Sequence, residues 1–197
     1  MPLGDRPPEP LTPAEVRALL AACDGTTLTG MRNRALLVVL WRAGLRIAEC
    51  LALRECDIDL SAHTIRVRFG KGRKARTVGI DGQALLEIRA WIYARRLAGI
   101  DTDLLFVQVH PKVGAQLSAR YVQAQMNRLA KTAGVRHRCH PHGLRHTHAT
   151  ELSREGWPMA LISRQLGHSN VGTTDRYLSG LDPREVIELA RVREWAS

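Results

Sequence analysis

From residue 63 to residue 69 apolar and polar positions alternate, with Ile65, Val67 and Phe69 set between Arg66 and Arg68. This is the period-2 pattern of a strand with one buried face. Residues 76–80 alternate again through Val78 and Ile80, and GKGRKA links the two stretches. A glycine-containing link of that length suits a β-hairpin. The pattern therefore predicts a basic hairpin that lifts Lys71, Arg73 and Lys74 off the body of the protein.

Elsewhere the period is helical. Thr12, Pro13 and Glu15 form a helix-start signature, with a capping hydroxyl, a proline at the first position and an acid at the third. That helix ends before Gly25. A longer one is predicted over residues 30–43, with Leu36, Leu37, Val39 and Leu40 inward. Gly44 breaks it, and a short helix resumes over 46–53. Further helices are predicted over 83–97, 118–133 (capped by Ser118), 142–155, 158–166, 171–178 and 183–195, with 104–106 as a third strand. In the last helix Val186, Ile187, Leu189 and Ala190 form an apolar patch. The sum is a mainly helical α+β fold, a small antiparallel sheet of about three strands packed on a helical body.

Five of the nine prolines fall in the first thirteen residues, so residues 1–10 read as a linker or tail. Residues 11–180 then form the main domain. Residues 181–197 read as a C-terminal helix whose apolar patch needs a cover, either on its own domain or on a neighbouring protomer.

Charge narrows the partner. The formal net charge is +10, and residues 104–150 hold seven Lys/Arg and six of the eight histidines with no acid. Residues 65–80 hold six Lys/Arg and again no acid. Two long acid-free segments in a chain with 19 acids point to a polyanion tracked along one face. The apolar runs are too short to span a membrane, and the N-terminus lacks the features of a secretory signal. A cytoplasmic setting is expected. The cysteines (Cys23, Cys50, Cys56, Cys139) show no CxxC pairing and are expected to be small, buried and unpaired.

The chemistry concentrates in HPHGLRHTHAT, residues 140–150, with four histidines and one arginine. His142 and His146 lie four apart, the ligand spacing of a zinc helix. Gly143 stands where that motif needs a glutamate, and no carboxylate in residues 104–150 offsets a dication beside Arg145. No metal is expected. Phosphate suits the same residues better. His142 and Arg145 share a face just inside a helix start, and a guanidinium offers a planar fork for two phosphate oxygens. A second arginine, Arg46 in GLRIAE, is followed one turn on by Glu49, placed to orient it. In isolation that pair reads as an ordinary surface ion pair. The third stretch is LGHSNVGTTDRYL, in which His168 follows a helix-ending glycine and Tyr177 comes nine residues later.

GLRIAE, GKGRK, HPHGLRHTHAT and LGHSNVGTTDRYL, in this order and spacing, resemble the tyrosine recombinases, or phage-integrase family. The likeness runs from about Leu11 to Leu178. It implies the recombinase catalytic-domain fold, double-stranded DNA as partner, no cofactor and no small-molecule substrate. It also implies a catalytic set of Arg46, Lys71, His142, Arg145, His168 and Tyr177, with Glu49 supporting the first arginine. Tyr177 would attack a DNA phosphodiester to give a 3′-phosphotyrosyl link, and Lys71 would protonate the leaving 5′-oxygen. Arg66, Arg68, Arg73, Lys74, Arg76, Arg120, Gln123, Asn127 and Arg128 are expected at the DNA, with base readout from residues 118–133. His148 is assigned no catalytic role.

Relatives of this kind usually carry a further helical N-terminal domain, whereas only the proline-rich segment precedes the catalytic region here. The chain therefore reads as a fragment or a stand-alone catalytic domain. Three other readings use the same residues: a non-catalytic DNA-binding protein derived from a recombinase, a relaxing enzyme like the type IB topoisomerases, and, more distantly, a metal-dependent nuclease. The complete set of six catalytic residues favours the recombinase.

Overall fold

The computed structural model describes residues 10–68, 75–167 and 183–195. Chain order begins with α1 (Pro13–Ala21), α2 (Leu28–Arg42) and α3 (Ile47–Leu51), then a 3-10 turn at Glu55–Asp57. The strands β1 (Ile58–Asp59), β2 (Thr64–Val67) and β3 (Arg76–Gly79) follow. Helices α4 (Gly82–Leu97), α5 (Ala119–Thr132), α6 (Pro141–Arg154), α7 (Met159–Leu166) and α8 (Pro183–Arg191) complete the described elements.

The helix starts follow local chemistry. Thr12 and Glu15 make the expected reciprocal cap, with the Glu15 N–H donating to Thr12 Oγ1 at 3.2 Å and the Thr12 N–H to Glu15 Oε2 at 2.9 Å. Ser118 caps α5 in the same way, accepting from the Tyr121 N–H at 3.1 Å. Helix α2 begins two residues before the expected start because Thr27, not a residue nearer Gly30, supplies the capping oxygen. At α6 the cap is an imidazole, with His140 Nδ1 accepting from the Gly143 N–H at 3.0 Å.

Helix α2 is the central rod. Leu36, Leu37, Val39 and Leu40 are buried as expected, but so are Ala35, Val38 and Trp41, because α4 and α6 cover it on separate sides. The sheet runs antiparallel in the order β1-β2-β3, with Ile65 opposite both Ile58 and Val78. Ile65 and Val67 are buried while Arg66 is exposed, as the alternation predicted. The third strand is not residues 104–106. Leu104 makes only an isolated bridge to Arg54, and the short β1 takes the sheet edge instead. Leu105 and Phe106 are fully buried, and the Leu105 carbonyl accepts from Trp91 Nε1 at 2.7 Å. A three-residue apolar run serves a buried connection as well as a strand.

Cys23, Cys50 and Cys139 are buried and unpaired, but Cys56 is exposed, contrary to expectation. It sits in the 3-10 turn beside Arg68, whose Nη2 lies 3.1 Å from its sulfur. Among the described residues no helix is long and apolar enough to cross a membrane.

A second, smaller core joins Leu152, Trp157, Leu161, Ile162 and Leu166 to Val186 and Ala190. Through it α8 packs on α7 and β3 of its own chain, leaving Leu189 38% exposed. The following segment is pinned as well. Arg193 pairs with Glu155 at 2.6 Å and Glu151 at 3.2 Å, and Trp195 donates to Asp81 Oδ1 at 3.0 Å while meeting Trp41 edge-on. Gly79 permits this approach, since a Cβ there would lie 2.5 Å from Ala190 Cβ and 3.0 Å from the Ile187 backbone. Gly79→Ala should therefore destabilise the fold by about 1–3 kcal/mol through overpacking. Urea unfolding measures this, and an unchanged midpoint would show that α8 does not occupy this seat.

Candidate active site

Gly44, at φ +62°, turns the chain from α2 into α3 and leaves Arg46 as the residue preceding the first helical position. Glu49, one turn on, receives the Arg46 backbone N–H at 2.9 Å and Arg46 Nη1 at 2.9 Å. The pair is no ordinary surface contact, because the Glu49 side chain is only 3% exposed. A third group makes its burial tolerable. Arg76, opening β3, grips the same carboxylate with both terminal nitrogens, Nη1 at 2.8 Å from Oε1 and Nη2 at 2.9 Å from Oε2. Burial alone raises the Glu49 carboxyl pKa, but the Arg76 guanidinium and the Arg46 N–H and guanidinium outweigh it. Together they hold it at about 2 against an ordinary 4.5.

Arg145 enters from α6 and is 4% exposed. Its Nη1 donates to the Gly44 carbonyl, and its Nη2 donates to the Leu166 carbonyl at 2.7 Å. Arg46 Nη2 donates to the next carbonyl, that of Gly167, at 3.1 Å. The two guanidiniums thus converge on adjoining carbonyls at the end of α7. Desolvation, with Arg46 and Arg76 nearby, lowers the Arg145 pKa to about 10 despite the opposing charge of Glu49, so it stays charged at neutral pH. Three guanidiniums lie about one carboxylate, and only Arg46 and Arg76 bond to it. The excess is positive, partly desolvated and fixed, a setting that favours an anion.

Glycine is required at two corners of this cluster. Gly167 ends α7 at φ +66°, and a Cβ on it would lie 2.7 Å from Arg76 Cζ and Nε. A Cβ on Gly44 would lie 2.5 Å from His148 Cδ2 and 2.9 Å from Leu166 Cδ2. His148 is fully buried. Desolvation first, then the Arg193, Arg42 and Arg145 charges, push its pKa well below 6.5, so it is a neutral packing ring under the Gly44 turn.

His142 stands exposed near the start of α6, one turn before Arg145, with its ring parallel to that of His140 at 6.3 Å. His146 is partly buried, with Nδ1 3.3 Å from Thr150 Oγ1. Among the described residues no three His, Cys, Asp or Glu side chains gather as metal ligands. Lys71, Arg73, Lys74, His168 and Tyr177 lie outside the described residues.

Several residues expected at DNA also hold contacts within the fold. Arg76 belongs to the Glu49 cluster. Its register with the inward-facing Val78 carried that signal, because an arginine on the buried face of a strand needs a buried acid. Arg68 is bound to the buried carboxylate of Asp57 at 2.5 Å. Gln123 commits its amide hydrogens to Asn127 Oδ1 at 2.9 Å and the Cys139 carbonyl at 2.8 Å, tying α5 to the segment before α6. Arg66, Arg120, Asn127 and Arg128 are exposed.

The fold and this cluster define a helical α+β domain in which arginines from α6 and from the turn before α3 converge at the end of α7. The chain belongs to the phage integrase family, whose sequence model matches residues 9–183. It is 34% identical over 160 residues to a tyrosine recombinase XerC of Chromobacterium violaceum, covering 81% of this chain and 52% of that protein. It is 38% identical over 170 residues to a tyrosine recombinase XerA of Thermococcus kodakarensis, covering 86% and 57%. The chain thus spans about half the length of these curated relatives. Among solved structures, a XerA recombinase superposes with a TM-score of 0.75 at 30% identity, covering 96% of this chain and 68% of that one. A XerH site-specific recombinase bound to palindromic difH substrate, a post-cleavage complex, superposes with a TM-score of 0.71 at 28% identity, covering 95% and 54%.

Glu49 makes a distinct contribution to acid stability. Its folded pKa is depressed, so its contribution is complete above the unfolded value near 4.5 and is lost as pH falls through about 2. The loss should be on the order of 2 kcal/mol after solvent screening. Glu49→Gln should lack this portion of the acid limb and be less stable at pH 7, since two guanidiniums lose their counter-charge. Urea unfolding from pH 2 to 7 tests this, and identical acid limbs would remove Glu49 from the centre of the cluster.

Proposed function

We propose that this domain cuts and rejoins a DNA strand at a specific site through a covalent tyrosine intermediate. The observation that carries the reading is the convergence of Arg46 and Arg145 on the adjoining Leu166 and Gly167 carbonyls, with Glu49 fixing Arg46. The Tyr177 phenol attacks the scissile phosphorus, the P–O5′ bond breaks, and a 3′-phosphotyrosyl link and a free 5′-hydroxyl result. Covalent catalysis divides the exchange into two steps and retains the phosphodiester for religation. Arg46 and Arg145 stabilise the charge that develops on the non-bridging oxygens.

His142, exposed beside Arg145, takes the tyrosine proton, while Lys71 gives a proton to the leaving 5′-oxygen and His168 donates to a phosphate oxygen. Fixed guanidiniums supply the electrostatic stabilisation that a divalent ion supplies in many nucleases, so the reading calls on no metal or cofactor. Support comes from relatives named as tyrosine recombinases and from a XerH recombinase captured with difH DNA both before and after cleavage. The exposed Arg66, Arg120 and Arg128 supply phosphate contacts in this reading, and the setting is wherever DNA lies, the cytoplasm for a bacterial-type recombinase.

A nicked suicide substrate in EDTA should trap a denaturant-resistant protein–DNA adduct. Tyr177→Phe should form none, and Arg145→Ala should form it at least about 10²-fold more slowly. No adduct from the unaltered protein, or an adduct that survives Tyr177→Phe, would overturn the reading.

The reading extends to self-association on DNA, with α8 exchanged into the seat made by Gly79 and α7 of a neighbouring protomer. Deleting the residues after Gly180 should then shift sedimentation towards monomer on DNA. Unchanged sedimentation would limit α8 to a role within its own chain.

A further inference from the structure

Helix α4 carries two apolar stripes, and only one is covered. Leu85, Ile88, Trp91 and Ile92 are buried in the core, where α4 lies along α2. Leu86, Ala90, Tyr93 and Leu97 form the second stripe, with Leu86 61%, Tyr93 65% and Leu97 71% exposed. Their spacing of four, three and four residues is the seam of a coiled coil rather than a scatter of surface apolar groups. The stripe borders a groove of about 570 Å³, closed on the far side by Ile58 and Leu60. None of Arg46, Glu49, Arg76, His142 and Arg145 lines this groove, so its role is independent of the proposed reaction.

Charge selects the occupant. Arg89 and Arg96 lie seven apart, each immediately before a seam residue, the flanking position that pairs with a neighbouring helix. Glu55, beside the groove, is already engaged by Arg95 at 2.6 Å and by Arg96. Arg89 has no acidic partner among the described residues. A second copy fits poorly. Run parallel, it would set Ala94 opposite Arg89, and run antiparallel it would set arginine against arginine. DNA would satisfy the arginines but leave the apolar stripe against its phosphates. A helix with apolar residues at the seam and acids at its flanks satisfies both.

We propose that the outward face of α4 is a docking surface for an acidic amphipathic helix of another protein. The seam supplies apolar burial, Arg89 selects sign, and Arg96, shared with Glu55 but 67% exposed, adds a second contact that fixes register.

The test uses two synthetic three-heptad peptides with leucine along the seam. One carries glutamate at the flanking positions and the other lysine. The glutamate peptide should bind the full chain at least tenfold more tightly than the lysine peptide by fluorescence anisotropy. Arg89→Glu combined with Arg96→Glu should reverse that order. Leu86→Ala with Tyr93→Ala should abolish binding of both peptides while leaving the circular-dichroism melting curve in place, since neither side chain belongs to the core. Equal affinity for the two peptides, no binding, or an order that survives the charge reversal would overturn the proposal. So would a wild-type dimer that Leu86→Glu dissociates, because it would give the face to a second copy.

Discussion

A single buried carboxylate holds the arginine-bearing half of this domain together. Taking Glu49 out of water costs several kcal/mol unless its lone pairs are filled, and an unpaired charge there would not be tolerated. They are filled by Arg76 from β3 and by the backbone and side chain of Arg46. The sheet and α3 are therefore fixed to one another at a point rather than along a surface. Through the Arg46 bond to the Gly167 carbonyl the same junction reaches the end of α7, and through Arg145 it reaches α6. Four elements far apart in sequence meet around one negative charge.

The close approach depends on what is missing as much as on what is present. Side chains at positions 44 and 167 would strike His148 and Arg76, and both residues sit at positive φ. His148 fills the space under the first of these turns as a neutral ring, because its burial first and then three nearby guanidiniums disfavour the charged form. A charged imidazole there would repel Arg145, and a smaller side chain would leave the Gly44 carbonyl, an acceptor for Arg145, without support.

Much of this was readable from local rules, and what was not readable has separate physical causes. Caps at Thr12 and Ser118, the alternation across Ile65 and Val67, and the GLRIAE and HPHGLRHTHAT motifs act within a few residues, so the sequence exposes them directly. The third strand was misplaced because a short apolar run at 104–106 looks the same in a sheet edge and in a buried connection. The bonds that Arg68 and Gln123 make within the fold were not legible, because their partners, Asp57 and the Cys139 carbonyl, lie 11 and 16 residues away and only folding brings them near. Cys56 was expected inside, yet it lies on a 3-10 turn whose capping contacts leave it outward. Arg76 is the instructive case. Its parity with Val78 placed it on the buried side of β3, and only the basic run around it suggested otherwise.

Burial also explains why the cluster is built from arginines. Desolvation and neighbouring cations lower the Arg145 pKa from the ordinary guanidinium range to about 10, which costs it no charge at physiological pH. A lysine begins near 10.4 and gains nothing from delocalisation, so the same surroundings would bring it close to the range where its proton is lost. Its three donors would also radiate from a single nitrogen, whereas Arg145 reaches the Gly44 and Leu166 carbonyls from two separate nitrogens and keeps further N–H groups on the same plane. A site that is dry, crowded with positive charge and required to stay positive admits one residue type at its centre.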